Sequence, residues 1–196
     1  ILAGYVYGSI LEGFRRLTPR WAWRAAYGVS ALAAAALALL AAPRMLGLLN
    51  PNTILLRQAD RPALAWIDAN LPQDAVVMIN PFYWNTNAYA GQDGGYWVTP
   101  LGRRASLPPI ATYAMGETPL VETVNRASRA VLDAGEDAHK LDAILGEQGI
   151  GYVYLGRRGG VMSARALRES GLFRVLYQQD GVWLFERLQV AGGAAH

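Results

Sequence analysis

The sequence contains no cysteine, which excludes a disulfide framework and a thiolate metal site anywhere in its 196 residues. Histidine is almost as scarce: only His139 and His196 are present, so no rigid element carries the paired histidines of a common metal site. No Walker phosphate loop and no nucleophile elbow is found either. The net charge is only +3 without a basic stripe, which argues against a nucleic-acid partner. We therefore expect no cofactor and no metal within this chain.

Residues 25–42 form a run without any charged side chain. A helix of that length spans about 27 Å, close to the ~30 Å hydrocarbon core of a bilayer. Alanine, which makes up much of the run, is only weakly hydrophobic, so a buried core helix is the alternative. We predict a transmembrane helix over 21–44, because the flanks carry the aromatic and basic residues and the proline expected at its ends: Arg20, Trp21, Trp23, Arg24, Pro43 and Arg44.

Arginines are concentrated before the apolar run. The positive-inside rule then places the N-terminal side in the cytoplasm and the chain after Pro43 outside it, in the periplasm or the extracellular space. The run starts too far into the chain, and is too long, to be a signal peptide. We interpret residues 1–20 as the end of a preceding membrane helix and a cytoplasmic loop, with a short amphipathic surface helix as the alternative. The first interpretation makes the chain the C-terminal fragment of a larger polytopic protein.

The rest of the chain alternates between amphipathic stretches and short apolar runs, which predicts an α/β domain over 60–190. We expect a linker over 45–59 and a disordered tail over 191–196. Asp60 is the expected cap of the first helix, and the Asp180-Gly181 turn predicts a closing antiparallel hairpin, so the sheet of this small sandwich is mixed. Helices are predicted at 61–71, 118–134, 138–148 and 163–170, and strands at 75–79, 152–155, 173–178 and 182–188.

The segment Pro81–Pro109 is predicted to be a long loop rich in aromatic residues and glycine. Long loops in compact domains are often functional. Aromatic faces suit sugar rings or lipid headgroups, and paired arginines offer bidentate contacts to phosphate. The alternative is a structural loop whose aromatic rings pack against the sheet or the membrane interface. The predicted substrate-binding residues are Trp84, Asp93, Tyr96, Trp97, Arg103 and Arg104.

A second candidate site is the turn LGRRGG over Leu155–Gly160, between a predicted strand and a predicted helix. Backbone amides exposed at such a turn, together with Arg157, Arg158 and Gly159, are a predicted anion-binding site. A strand-to-helix turn needs glycine for its own geometry, so a purely structural role is the alternative.

Four segments carry a resemblance to a known class of membrane proteins. They are ALAWIDANLPQDAVVMIN over 63–80, DGGYW with GRR over 93–104, GYVYLGRRGG over 151–160 and DGVWLFER over 180–187. Behind a last membrane helix, this layout resembles the extracytoplasmic C-terminal domains of bacterial polytopic type C glycosyltransferases, such as dolichyl-phosphate-mannose mannosyltransferase-like proteins. The resemblance implies sugar transfer from a lipid-phosphate donor. It also implies catalytic acidic residues upstream of this chain, so none is assigned here.

One motif is similar to the Trp-Trp-Asp-Tyr-Gly region of oligosaccharyltransferase catalytic subunits, which helps to recognise the acceptor peptide. Here Gly91 and Gln92 replace the two tryptophans, and Gly94 replaces the tyrosine. Only Asp93 is therefore carried over from that motif.

The sequence supports two hypotheses. In the first, the soluble domain covers the acceptor side of a glycosyltransferase cleft, and its partners are the bilayer, a lipid-phosphate-linked sugar and upstream helices of the same protein. In the second, the chain is a non-catalytic, membrane-anchored extracytoplasmic binding or assembly domain. The second hypothesis expects the aromatic loop to be buried against the domain's own sheet.

Overall fold

A computed structural model describes residues 2–17, 19–46, 53–85 and 87–188. The chain divides into two compact units, residues 1–53 and residues 54–196. The predicted tail over 191–196, and residues 47–52 of the predicted linker, lie outside the described residues.

The N-terminal unit consists of two helices, α1 (Leu2–Leu17) and α2 (Arg20–Leu46). Within the described part of the chain, α2 is the one helix long and apolar enough to cross a membrane, over Arg20–Pro43. Its apolar stretch has none of its residues buried by the protein, so α2 is not a covered core helix here. Pro43, expected at the helix end, lies inside α2, which continues to Leu46. These features are those of a membrane anchor; its orientation, and the interpretation of 1–20, stay predictions.

The second unit contains seven described strands: β1 (Val76–Ile79), β2 (Pro81–Asn85), β3 (Ala88–Gly91), β4 (Ala105–Leu107), β5 (Tyr152–Leu155), β6 (Phe173–Gln179) and β7 (Val182–Arg187). Five of them form a mixed sheet with the strand order β4-β1-β5-β7-β6. Strand β1 runs parallel to β4 and β5, while β7 runs antiparallel to β5 and β6. A separate antiparallel hairpin joins β2 to β3.

Helices cover both faces of the sheet because successive strand residues point to opposite sides. Met78 packs with α6 (Ala138–Glu147) and α7 (Ala164–Glu169), whereas its neighbours Val77 and Ile79 pack with α3 (Asp60–Asn70) and α4 (Val98–Gly102). The predicted α/β sandwich with a mixed sheet is therefore confirmed. The helices are α3 (Asp60–Asn70), α4 (Val98–Gly102), α5 (Thr118–Ala134), α6 (Ala138–Glu147) and α7 (Ala164–Glu169), with 3-10 turns at Gly94–Trp97 and Ala111–Met115.

The prediction that 81–109 is one long loop was wrong, because this stretch contains β2, β3, a 3-10 turn, α4 and β4. Its glycines allow close packing. A Cβ atom on Gly91 would lie 2.8 Å from the Ile79 side chain and 2.9 Å from the backbone nitrogen of Tyr96. The glycine-rich composition thus reflects tight contact with strand β1, which local sequence patterns do not reveal.

Candidate functional site

The carboxyl ends of the parallel strands β1 and β5 meet beside the first turn of α3. Asn80 follows β1, and Gly156 follows β5. In open α/β sheets this edge is where ligands usually bind. Here two carboxylates of the chain itself, from Asp60 and Asp93, occupy it, and both are fully buried together with Asn80.

Asp93 accepts hydrogen bonds from three sides. Its Oδ2 accepts from the Asn80 side-chain amide at 2.9 Å and from the Gly156 backbone N–H at 2.7 Å. Its Oδ1 accepts from the Gly95 backbone N–H at 2.8 Å, which also caps the 3-10 turn Gly94–Trp97. The amide oxygen of Asn80 accepts from the Met162 backbone N–H at 3.0 Å. Asp93, predicted to bind substrate, therefore links β1, β5 and the hairpin from inside the domain.

Asp60 was expected to cap α3, but it occupies the first position of the helix and Ala59 precedes it without a side-chain cap. The Asp60 carboxylate reaches across the domain: Oδ1 accepts from the Tyr154 hydroxyl at 2.8 Å and from the Arg157 backbone N–H at 2.9 Å. Its Oδ2 accepts from the Arg57 backbone N–H at 2.6 Å. Asp60 thus joins the start of α3 to the end of β5.

Burial has a direct electrostatic consequence for this network. Desolvation is the main cause that raises the pKa of Asp93 to about 6, and hydrogen bonds from Asn80, Gly156 and Gly95 oppose it. The nearby Asp60 charge raises that pKa further. Burial likewise raises the pKa of Tyr154 well above its usual value, so this hydroxyl stays protonated and donates to Asp60.

The turn after β5 was predicted to bind an anion. Its backbone amides do face carboxylates, but these belong to Asp93 and Asp60 of the same chain. The N–H of Gly156 bonds Asp93 and that of Arg157 bonds Asp60, while the Gly159 N–H bonds the Gly156 carbonyl at 2.9 Å. The side chains of Arg157 and Arg158 are exposed, and Arg158 donates from Nη1 to the Gln92 carbonyl at 2.9 Å. An added anion would have to displace internal hydrogen bonds to use these amides.

Arg103 and Arg104 differ completely in their surroundings. Arg104 is 3% exposed and donates to the Leu71 carbonyl at 3.1 Å and 2.5 Å and to the Asp68 carbonyl at 3.0 Å. It therefore satisfies carbonyls at the C-terminal end of α3. Arg103 is exposed, has a left-handed backbone with φ 50°, and lies 3.6 Å from the Asp68 carboxylate. Neither arginine lines the groove beside Trp84.

An open groove of about 480 Å³ lies between the β2–β3 hairpin and the 3-10 turn Ala111–Met115. Trp84 and Tyr96 supply its aromatic surface, and its described lining contains no aspartate, glutamate, lysine, arginine or histidine. The complete lining is Trp84, Asn85, Asn87, Ala88, Tyr96, Ile110, Ala111, Thr112, Ala114 and Met115. Trp97 lies next to the groove, with its ring centroid 6.2 Å from that of Tyr96 in an edge-to-face arrangement.

Hydrogen bonds hold the walls of this groove in place. The Tyr113 hydroxyl accepts from the Tyr89 backbone N–H at 2.8 Å and donates to the Asn125 side chain at 2.6 Å. Asn125 in turn donates to the Asn87 carbonyl at 3.2 Å. The hairpin, the 3-10 turn and α5 are thereby joined around the groove. Trp84 and Tyr96 were predicted from the sequence. The second wall, from Ile110 to Met115, was not, because no local sequence feature links it to the hairpin.

No protein-family model and no curated protein matches this chain. Among solved structures, the chain is similar to the C-terminal globular domain of an oligosaccharyltransferase from Archaeoglobus fulgidus. The identity is 15%, the TM-score is 0.37, and the match covers 65% of this chain and 96% of that chain. A likeness this distant carries no argument about activity.

Proposed function

We propose that this chain is the C-terminal part of an integral membrane glycosyltransferase-like protein, and that its soluble domain binds a sugar in the groove beside Trp84. The domain then covers the acceptor side of a cleft whose catalytic residues lie upstream. The donor in this proposal is a lipid-phosphate-linked sugar, and the domain is extracytoplasmic. The exposed apolar stretch of α2 supports membrane anchoring.

The groove is the observation that carries the proposal. Its volume of about 480 Å³ lies within the range of small-ligand sites, roughly 300–1,000 Å³. Trp84 is 58% exposed, so more than half of a large aromatic side chain is open to solvent. The polar groups around it are neutral side chains, Asn85, Asn87 and Thr112. An aromatic face with amide and hydroxyl groups beside it fits the apolar and hydroxyl faces of a neutral sugar ring.

The test is sugar binding by the full chain in detergent or nanodiscs, first against a panel of neutral oligosaccharides and then by titration calorimetry. The substitution Trp84→Ala removes the aromatic face on which the sugar ring stacks, so we expect about ten-fold weaker sugar binding. Tyr83→Ala is the matched control: it is an equally exposed aromatic residue on the same strand, but outside the groove lining. Absence of binding to every sugar, or equal losses in both variants, would contradict the proposal.

A second function, a non-catalytic membrane-anchored binding or assembly domain, is favoured by a different observation. Asp93 and Arg104, the most chemically promising residues of the aromatic stretch, are buried and bonded within the domain. A glycan-transfer assay of the intact protein separates the two functions. If the chain is part of a glycosyltransferase, Trp84→Ala lowers glycan transfer. If the intact protein has no acidic residue in its first extracytoplasmic loop, the non-catalytic function is supported instead.

A further inference from the structure

Asp60 brings arginines from two distant parts of the chain to one end of the domain. Its carboxylate accepts from the backbone N–H of Arg57 at 2.6 Å and of Arg157 at 2.9 Å, across a separation of 97 residues in the second case. Arg61 follows Asp60 directly, and Arg158 follows Arg157. We call these four arginines the arginine cluster.

Three members of the arginine cluster present cationic side chains to solvent. Arg61, Arg157 and Arg158 are exposed. The Arg157 guanidinium lies against Gly181 in the turn between β6 and β7, where the acidic neighbour is Asp180. Asp60 itself is fully buried, and both of its oxygens accept hydrogen bonds from inside the domain. The exposed arginines outnumber Asp180, so these residues together carry a net positive charge.

Arg57 also lies close in sequence to Ile54, the first residue of the second unit. Residues 47–53 separate Leu46, the last residue of α2, from the first residue of the second unit. A segment this short spans at most about 30 Å when fully extended. A bilayer that holds α2 is consequently always within reach of the domain.

We propose that the arginine cluster docks the domain on the phosphates of anionic lipid headgroups. Guanidinium groups bind phosphate oxygens in a bidentate manner, and each basic residue near an anionic membrane surface strengthens its attraction. A small phosphate ion fits the cluster poorly, because the amides of Gly156 and Arg157 that would enclose it already bond Asp93 and Asp60. A membrane presents many phosphates to an open surface. The inference rests on membrane anchoring within the proposed function, and not on the sugar groove.

The absence of cysteine allows a single fluorescent label to test this docking in the full chain. Ala65→Cys places the label on the exposed side of α3, one turn after Arg61, and Glu136→Cys places a reference label between α5 and α6. The labelled chain is reconstituted into nanodiscs of phosphatidylcholine alone or mixed with phosphatidylglycerol, each containing a lipid with a nitroxide in its headgroup. Quenching of the label then reports contact with the headgroup layer.

We expect quenching at position 65 only with phosphatidylglycerol, and none at position 136. About 1 M salt, where the Debye length is about 3 Å, abolishes it. The double variant Arg61→Gln/Arg157→Gln weakens docking about 25-fold, since each arginine contributes about five-fold. Arg126→Gln/Arg129→Gln, which neutralises exposed arginines on α5, leaves it unchanged.

Three outcomes would overturn the inference: equal quenching in both lipid mixtures, undiminished quenching in the Arg61/Arg157 variant, or loss of quenching with inorganic phosphate at constant ionic strength. The last would assign the cluster to a small anion instead of a bilayer. Sugar binding at Trp84 is measured separately, so failure of docking leaves the groove proposal standing, and the reverse also holds.

Discussion

The buried carboxyl of Asp93 makes the stability of the domain depend on pH within a defined window. Burial raises its pKa from 3.8 to about 6 in the folded protein, and three hydrogen bonds do not cancel that effect. The unfolded chain exposes the group to water, where its pKa returns to the ordinary value. Between these two values the folded state binds a proton that the unfolded state has released.

The sign and size of the effect follow from this difference. Because the folded state binds the proton more tightly, the contribution is fully present below about pH 4 and is lost as the pH rises through about 6. One pKa unit corresponds to about 1.4 kcal/mol, so the free energy of unfolding falls by about 3 kcal/mol across this window. Such a loss is a large fraction of the roughly 5–15 kcal/mol that keeps most domains folded.

Urea unfolding of the full chain in detergent, followed by tryptophan fluorescence from about pH 4 to about pH 7, measures this loss. The Asp93→Asn side chain cannot titrate. Its NH2 group stands where one carboxylate oxygen of Asp93 accepts hydrogen bonds, so a donor there meets only other donors. We therefore expect this variant to be less stable at neutral pH but to lack the 3 kcal/mol dependence. Asp74→Asn, at an exposed position, should keep the wild-type slope. A slope in Asp93→Asn equal to that of the wild type would refute the reasoning.

Two further substitutions test the packing around the site by the same unfolding assay. Arg104→Met removes the donors to the carbonyls at the end of α3, so we expect the free energy of unfolding to fall by about 3 kcal/mol. Arg103 is exposed, and we expect Arg103→Met to lower it by less than about 0.5 kcal/mol. Gly160→Ala puts a methyl group into the Asn80 side chain and should cost about 1–3 kcal/mol. Its control is Gly151→Ala, because the added methyl group would meet nothing within 4 Å. Equal losses of stability in the two arginine variants, or in the two glycine variants, would contradict the packing argument.

Elements whose signal is local could be predicted from the sequence. Helix α5 begins at Thr118, with a proline in its first turn, and ends before Gly135, which has φ 60°. The hairpin β6–β7 has positive φ at both Asp180 and Gly181, as the Asp-Gly pair predicts. In both cases the backbone geometry is dictated by residues at the element ends, so a neighbouring stretch of sequence contains the necessary information.

The buried network could not be predicted, because its partners lie far apart in the chain. Asp60 meets Tyr154 across 94 residues, and Asp93 meets Gly156 across 63. An aspartate just before a helix is usually its cap, and an arginine in a polar stretch is usually exposed. Asp60 and Arg104 depart from these tendencies since tertiary contacts satisfy their charges inside the domain.

The network also bears on where a ligand can bind. A phosphate or carboxylate ligand at the ends of β1 and β5 would compete with Asp93 for the Gly156 amide and would meet the charge of Asp60. Both effects oppose binding of an anion there. The groove at Trp84 has no aspartate, glutamate, lysine, arginine or histidine in its described lining. Its hairpin is attached to the sheet through Asp93, which accepts hydrogen bonds from Asn80 and Gly156. Asp93 thus supports the groove as a positioning residue, and its loss should weaken sugar binding through displacement of Tyr96 and not through a lost contact with the sugar.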